Sequence, residues 1–100
     1  MARIKGTVML NITQIDNDTF NVVVRGKTIT SHVVKVSNQV LTEFTFDKMS
    51  KEQFVKKSFL FLLKKEQNTS IQGDFNIEEI ENFFPDFRNI YKLDWVNINI

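Results

Sequence analysis

One hundred residues, 42% of them hydrophobic and 25% charged, have the size and make-up of one globular domain, taken here as residues 1–100. The net charge of +1 does not call for a polyanion partner, and the absence of cysteine excludes disulfides, thiolate zinc sites, iron–sulfur clusters and cysteine nucleophiles. Three glycines and one proline are too few for a linker, and the longest apolar run, Phe59 to Leu63, is far short of the roughly 20 residues that cross a bilayer.

The N-terminus "MARIKGTVML" has no continuous apolar stretch of the signal-peptide kind, so the expectation is a cytoplasmic chain with no membrane partner. The sequons at Asn11, Asn17 and Asn68 are then chance matches. From Ile4 to Thr13, Ile4, Val8, Leu10 and Ile12 alternate with polar side chains, the period of a strand with one apolar face. "DNDT" at Asp16 to Thr19 interrupts the pattern with turn-forming side chains. Phe20, Val22 and Val24 resume it, Gly26–Lys27 suits a hairpin turn, and a third strand follows from Thr28 to Val36. Three strands with short connections predict an antiparallel meander.

Ser37 then caps one or two helical turns carrying Val40, Leu41 and Phe44. The next start signal is fuller: Ser50 and Gln53 form a capping box, and Met49 and Phe54 a hydrophobic staple. The spacing predicts a long helix from Lys51 to about Glu66. Phe54, Val55, Phe59, Leu62 and Leu63 form its inner face, and Lys56, Lys57, Lys64 and Lys65 its wet face. Leu60 and Phe61 fill the remaining directions, which predicts packing on more than one side. The pattern recurs with Asn76 as cap, Glu79 three residues on, and Phe75 and Ile80 as staple. Glu78 and Glu79 complement the helix dipole. Ile77, Ile80, Phe83 and Phe84 are spaced to face inward, and Pro85 ends this short helix. The tail is β-like, with Tyr91, Leu93 and Trp95 on one parity and Val96, Ile98 and Ile100 on the other. The predicted fold is α+β: a meander of three N-terminal strands plus a C-terminal strand, packed against one long and one short helix.

Seven of the ten phenylalanines lie between Phe54 and Phe87. The stretch "SFLFLLKKEQNTSIQGDFNIEEIENFFPDF", Ser58 to Phe87, resembles a small prokaryotic family with the pattern S-F-x-F-L-L-x-R-E-P-x-x-S-I-L-x-x-F-D-L-x-V-I-x-x-Y-F-P-E-Y. An upstream T-x-H-x-V-x-V strand matches at Thr30, His32, Val34 and Val36, so the resemblance spans about residues 28 to 88. Lys65 stands for the arginine, Gln67 for the proline, Gln72 for a leucine and Glu79 for a valine. The resemblance implies an α+β fold and brings no activity, cofactor or site residue. The shared positions are apolar residues, caps and a helix-stopping proline, so the aromatic run is expected to be core. Phe59, Leu62, Leu63, Ile80 and Phe84 should join the helices to the sheet face of Ile4, Val8, Leu10, Phe20, Val22 and Val24.

Little points to chemistry. His32, the only histidine, is expected to be a half-buried strand residue bonded to backbone, because no acid or nucleophile lies near it in sequence to make it a base. Asp16, Asn17 and Asp18 read as a turn, since the glycine and glutamate of a calcium loop are replaced by Asn21 and Lys27. Glu78, Glu79 and Glu81 read as helix-start acids. None of the glycines belongs to a phosphate-binding loop. The expectation is therefore no catalytic, cofactor or metal residue.

Charge is divided between segments, +4 over Lys48–Glu66, −5 over Asp74–Asp86 and +3 over residues 1–36, which argues against the single basic stripe of a nucleic-acid binder. The leading expectation is a small non-enzymatic interaction module, self-associating or taking a protein partner through a sheet edge, with the strand from Ile4 to Ile15 and the tail as edges. The alternative is a ribbon–helix–helix-like DNA-binding regulator, which the order of "HVVKVSNQVLTEF" and "SKEQFVKKSFLFLLKKE" resembles. Such a ribbon would offer Ser31 and Lys35, or Thr30 and His32, to the major groove.

Overall fold

The structure, a computed structural model, describes residues 8–88. In chain order these form β1 (Met9–Gln14), β2 (Thr19–Arg25), β3 (Ile29–Lys35), α1 (Asn38–Thr45), α2 (Lys51–Lys65), β4 (Asp74–Asn76) and α3 (Ile80–Phe83). The strands make one sheet in the order β1-β2-β3-β4. The expected tail strand and Ile4 lie outside the described residues.

The meander forms as its alternation predicts. Leu10 and Ile12 lie opposite Val24 and Val22, and Val24, Val22 and Phe20 lie opposite Thr30, His32 and Val34. These side chains therefore share one face, and Phe20, Val22, Val24 and Val34 are fully buried there. The covered stripe does not extend to Val8, which is 36% exposed. At the β1–β2 turn the Asp16 carboxylate accepts from the Asp18 N–H at 3.0 Å, the local bond that makes aspartate a turn former.

A further strand, not expected from the sequence, joins the meander. It is Asp74–Asn76, parallel to β3 through Val33↔Asp74 and Lys35↔Asn76, so the sheet is mixed. Three residues are too few to show a period of two, and Phe75, directly before the Asn76 cap, is also a strand residue whose ring is buried. The crossover from β3 to β4 contains α1 and α2, as a parallel pairing requires.

Both helix starts follow their caps. The Ser37 hydroxyl accepts from the Val40 N–H at 3.1 Å. At α2 the Ser50 hydroxyl accepts from the Gln53 N–H, and the Gln53 side chain accepts from the Ser50 N–H, at 3.1 and 3.0 Å. Asn76 and Glu79 form a second capping box over the 3-10 turn Ile77–Glu79, which continues into α3. The Phe84 N–H still bonds Ile80, and Pro85 follows.

α2 lays Phe54, Val55, Phe59 and Leu62 into the core and keeps Lys56, Lys57, Lys64 and Lys65 exposed. Its second half is covered on only part of its circumference. Phe61 is buried against the rings of Phe84 and Phe87, whereas Leu60 is 47% exposed. Phe83, expected to face inward, is 64% exposed, because Ile77 and Ile80 already fill the side of α3 that meets the core.

Five of the seven phenylalanines between Phe54 and Phe87 are thus core residues: Phe54, Phe59, Phe61, Phe75 and Phe87. Phe59 is fully buried between the imidazole of His32, at 5.5 Å between ring centres, and the ring of Phe75 at 6.1 Å. Phe59→Ala is expected to lower stability by about 3–5 kcal/mol, read as a large fall in the urea midpoint, as befits a core ring truncated where the surroundings cannot collapse.

Candidate functional site

Three places in the described structure have the makings of a site: the buried histidine, the acidic residues with the cleft beside them, and the outer strand of the sheet. His32 projects from the middle of β3 into the covered face and is only 2% exposed, more deeply buried than its position in sequence indicated. Its Nδ1 lies 2.7 Å from the Gln72 carbonyl oxygen, which only accepts, so Nδ1 carries the proton. Nε2 lies 2.8 Å from the Thr30 hydroxyl, within hydrogen-bond distance. Asn68 Nδ2 donates to Thr30 Oγ1 at 3.0 Å and to the Thr28 carbonyl at 2.8 Å. The chain Asn68–Thr30–His32–Gln72 fastens the Gln67–Gly73 loop to β3. Both ring nitrogens are used, no carboxylate takes part, and the Thr30 hydroxyl is itself held by Asn68, so the arrangement serves as an anchor. Sequence reasoning identified His32 and its backbone bond but not Asn68 or Gln72, because these contacts span about 40 residues of chain.

Of the carboxylates expected to serve turns and helix starts, Asp16, Asp18, Glu79 and Glu81 are found in local bonds and ion pairs. Asp18 accepts from Lys51 at the start of α2, and Lys51 also reaches the Asn17 carbonyl at 2.9 Å, tying α2 to the β1–β2 turn. The hydroxyl of Thr19 and the backbone N–H of Asp18 hold the exposed Asp16 carboxyl below its usual range. Glu79 caps Asn76, and Glu81 receives two bonds from Arg88, Nε to Oε2 at 2.6 Å and Nη2 to Oε1 at 3.0 Å. The same guanidinium lies 4.2 Å from the centre of the Phe44 ring. Among the described residues no group of three or more histidines and carboxylates is placed to hold a metal ion.

A cleft of about 250 Å³ opens between the end of α2 and α3, floored by Leu62, Ile71, Phe75 and Ile80 and bordered by the exposed Phe83. It is smaller than the roughly 300–1,000 Å³ of small-molecule sites and has no convergent set of polar groups beyond Glu66, Glu79 and two neighbouring side chains at its margin.

The outer strand is different in kind. β1 is one edge of the sheet and the three-residue β4 the other, and among the described residues nothing pairs with the far side of β1. In an antiparallel strand each residue turns its N–H and C=O either both toward its neighbour or both away. The Ile15 N–H bonds Thr19, so the odd-numbered residues of β1 face β2. Leu10, Ile12 and Gln14 therefore present their backbone groups outward. Natural edges are blunted by charges, prolines or bulges. Met9–Gln14, "MLNITQ", holds no charge and no proline, and its pairing runs without a skip from Met9↔Arg25 to Gln14↔Phe20, so there is no bulge.

β3, by contrast, is an inner strand: it pairs with β2 from Ile29 to Lys35 and with β4 from Val33 to Lys35. Thr30 and His32 point into the core face and are committed to each other. Compared with protein-family models, with curated proteins and with solved structures, the chain finds no match.

Two measurements check these assignments. Replacing His32 with leucine leaves the Gln72 carbonyl without its donor and is expected to cost about 1–3 kcal/mol of unfolding free energy. The Arg88 bonds hold the Glu81 carboxyl below its ordinary value of 4.5. The pair's contribution is therefore complete above about that pH and is lost as pH falls through the lowered value of the folded state. Glu81→Gln is expected to flatten that acid limb in a plot of thermal midpoint against pH, with the midpoint changing less between neutral and strongly acid buffer than in the parent.

Proposed function

We propose that the protein is a small, non-enzymatic, cytoplasmic interaction module that accepts an added strand along β1. The observation that carries this is the edge that no other described strand covers, where Leu10, Ile12 and Gln14 turn their backbone groups outward from a strand without charge, proline or bulge. Main-chain hydrogen bonds supply the affinity in this mode of recognition, and alternate side chains supply selectivity. The pattern shared with the small prokaryotic family belongs to the same proposal. Its phenylalanines at positions 59, 61 and 75 are buried core residues here, so kinship would extend to the scaffold that carries the edge.

The test uses a short peptide of alternating threonine and valine as a generic strand. Titrated into the chain, it is expected to slow amide exchange at Leu10, Ile12 and Gln14 while leaving the already bonded Asn11 and Thr13 unchanged. Gln14→Pro removes one outward N–H at an exposed position, a place where edges tolerate proline, and is expected to weaken that protection without unfolding the sheet. Exchange at the three amides that ignores the peptide at every concentration would overturn the proposal.

A further inference from the structure

We infer that the strand added to β1 is β1 of a second copy, antiparallel and centred on Ile12; this rests on the reading of β1 as an open, strand-accepting edge. Outward-facing residues must meet outward-facing residues for the new ladder to bond. Centring on Ile12 meets that condition along the whole strand, with Ile12 opposite its own counterpart and Leu10 opposite Gln14. On the uncovered face of the sheet the same register sets Met9 opposite Ile15 and Asn11 opposite Thr13.

Met9 is 60% exposed and Ile15 is 58% exposed, so the two large apolar side chains left open at the ends of this strand would cover each other. The exposed pattern, apolar, polar, polar, apolar, reads the same in both directions, which is what a twofold interface requires of one patch facing itself. A slip of two residues either way breaks this match and sets Met9 against Thr13, or Ile15 against Asn11. The strand holds no charge, so two copies meet without like charges facing one another. On the covered face Leu10 and Ile12 pack against the core but are only partly buried, which leaves apolar surface for the joined strand to shield.

The chain has no cysteine, so introduced thiols report the register without interference. Met9→Cys and Ile15→Cys proteins are mixed in equal amounts and oxidised mildly. In the proposed register these positions form a non-hydrogen-bonded pair with Cα atoms about 4.5 Å apart, within disulfide range. Two copies of position 9 lie roughly 20 Å apart in the same register. The mixed disulfide is expected to form about 10-fold or more faster than either same-position disulfide. Light scattering on the parent chain should give twice the mass of one chain. An Asn11→Cys and Thr13→Cys mixture reports the same register should either of the first proteins fail to fold.

Equal yields of all three disulfides, or a single-chain mass at every concentration, would overturn the inference. A chain that stays single while the threonine–valine peptide still protects Leu10, Ile12 and Gln14 overturns the second copy as partner and leaves the strand-accepting edge standing. A single chain whose amides ignore the peptide overturns both.

Discussion

The ring of Phe59 is where the parts of this domain meet. It comes from α2, lies against the imidazole of His32 on β3, and touches the ring of Phe75 on β4. Neither β4, with three residues, nor α3, with four, can persist alone, because so short a segment gains too little to offset the ordering of its backbone. They persist because Phe75, Ile77 and Ile80 are buried in the core that α2 completes. A second group of rings extends the same layer. Phe87 is enclosed by Phe44, Phe54 and Phe61, so the segment after Pro85 closes the end of the helix layer. The Lys65–Asp86 and Glu81–Arg88 pairs flank it from the surface.

How much of this could be read beforehand follows from the range of each interaction. The caps at Ser37, Ser50 and Asn76 act within three residues, and each is where its sequence signature put it. The meander was legible because alternation and turn chemistry are local, and its pairing places Leu10, Val24 and Thr30 on the face their parity indicated. β4 was not legible, because it owes its existence to a partner strand some 40 residues away rather than to its own three residues. Asn68 and Gln72 escaped notice for the same reason. Val8, Leu60 and Phe83 mark a different limit. Spacing shows which side of an element a residue occupies, and only the arrangement of neighbours determines whether that side is covered. The edge was legible as a candidate from the lack of proline, but its open side became definite only when the Ile15–Thr19 bond fixed the alternation.

The two layers divide the work of meeting solvent. The helices carry charge, with the exposed lysines of α2 as its clearest expression. The uncovered face of the sheet relies on uncharged polar side chains over much of its area. Arg25 donates to Asn11 at 3.2 Å, and the Ser31 hydroxyl donates to Asn21 at 3.1 Å, so the polar groups there are partly bound to one another across the strands. Val23 and Val33 lie half-buried among them. Such a face loses less on being brought near another protein surface than a face crowded with ions does, because few charges must be stripped of water.

The parallel strand sets an order on folding. The β1–β2 and β2–β3 hairpins close loops of a few residues, which costs little chain entropy, whereas β4 reaches β3 only after the whole α1–α2 segment has been folded back. Until then β3 has a second bare edge, the His32 ring has no Gln72 carbonyl to bond, and the half-assembled sheet is open on both sides. Before that docking, β1 and β3 both have an outer side that no other described strand pairs with. The late docking of Asp74–Asn76 covers β3 from Val33 to Lys35 and moves that margin outward to the three-residue β4, so that β1 is the longer of the two edges among the described residues.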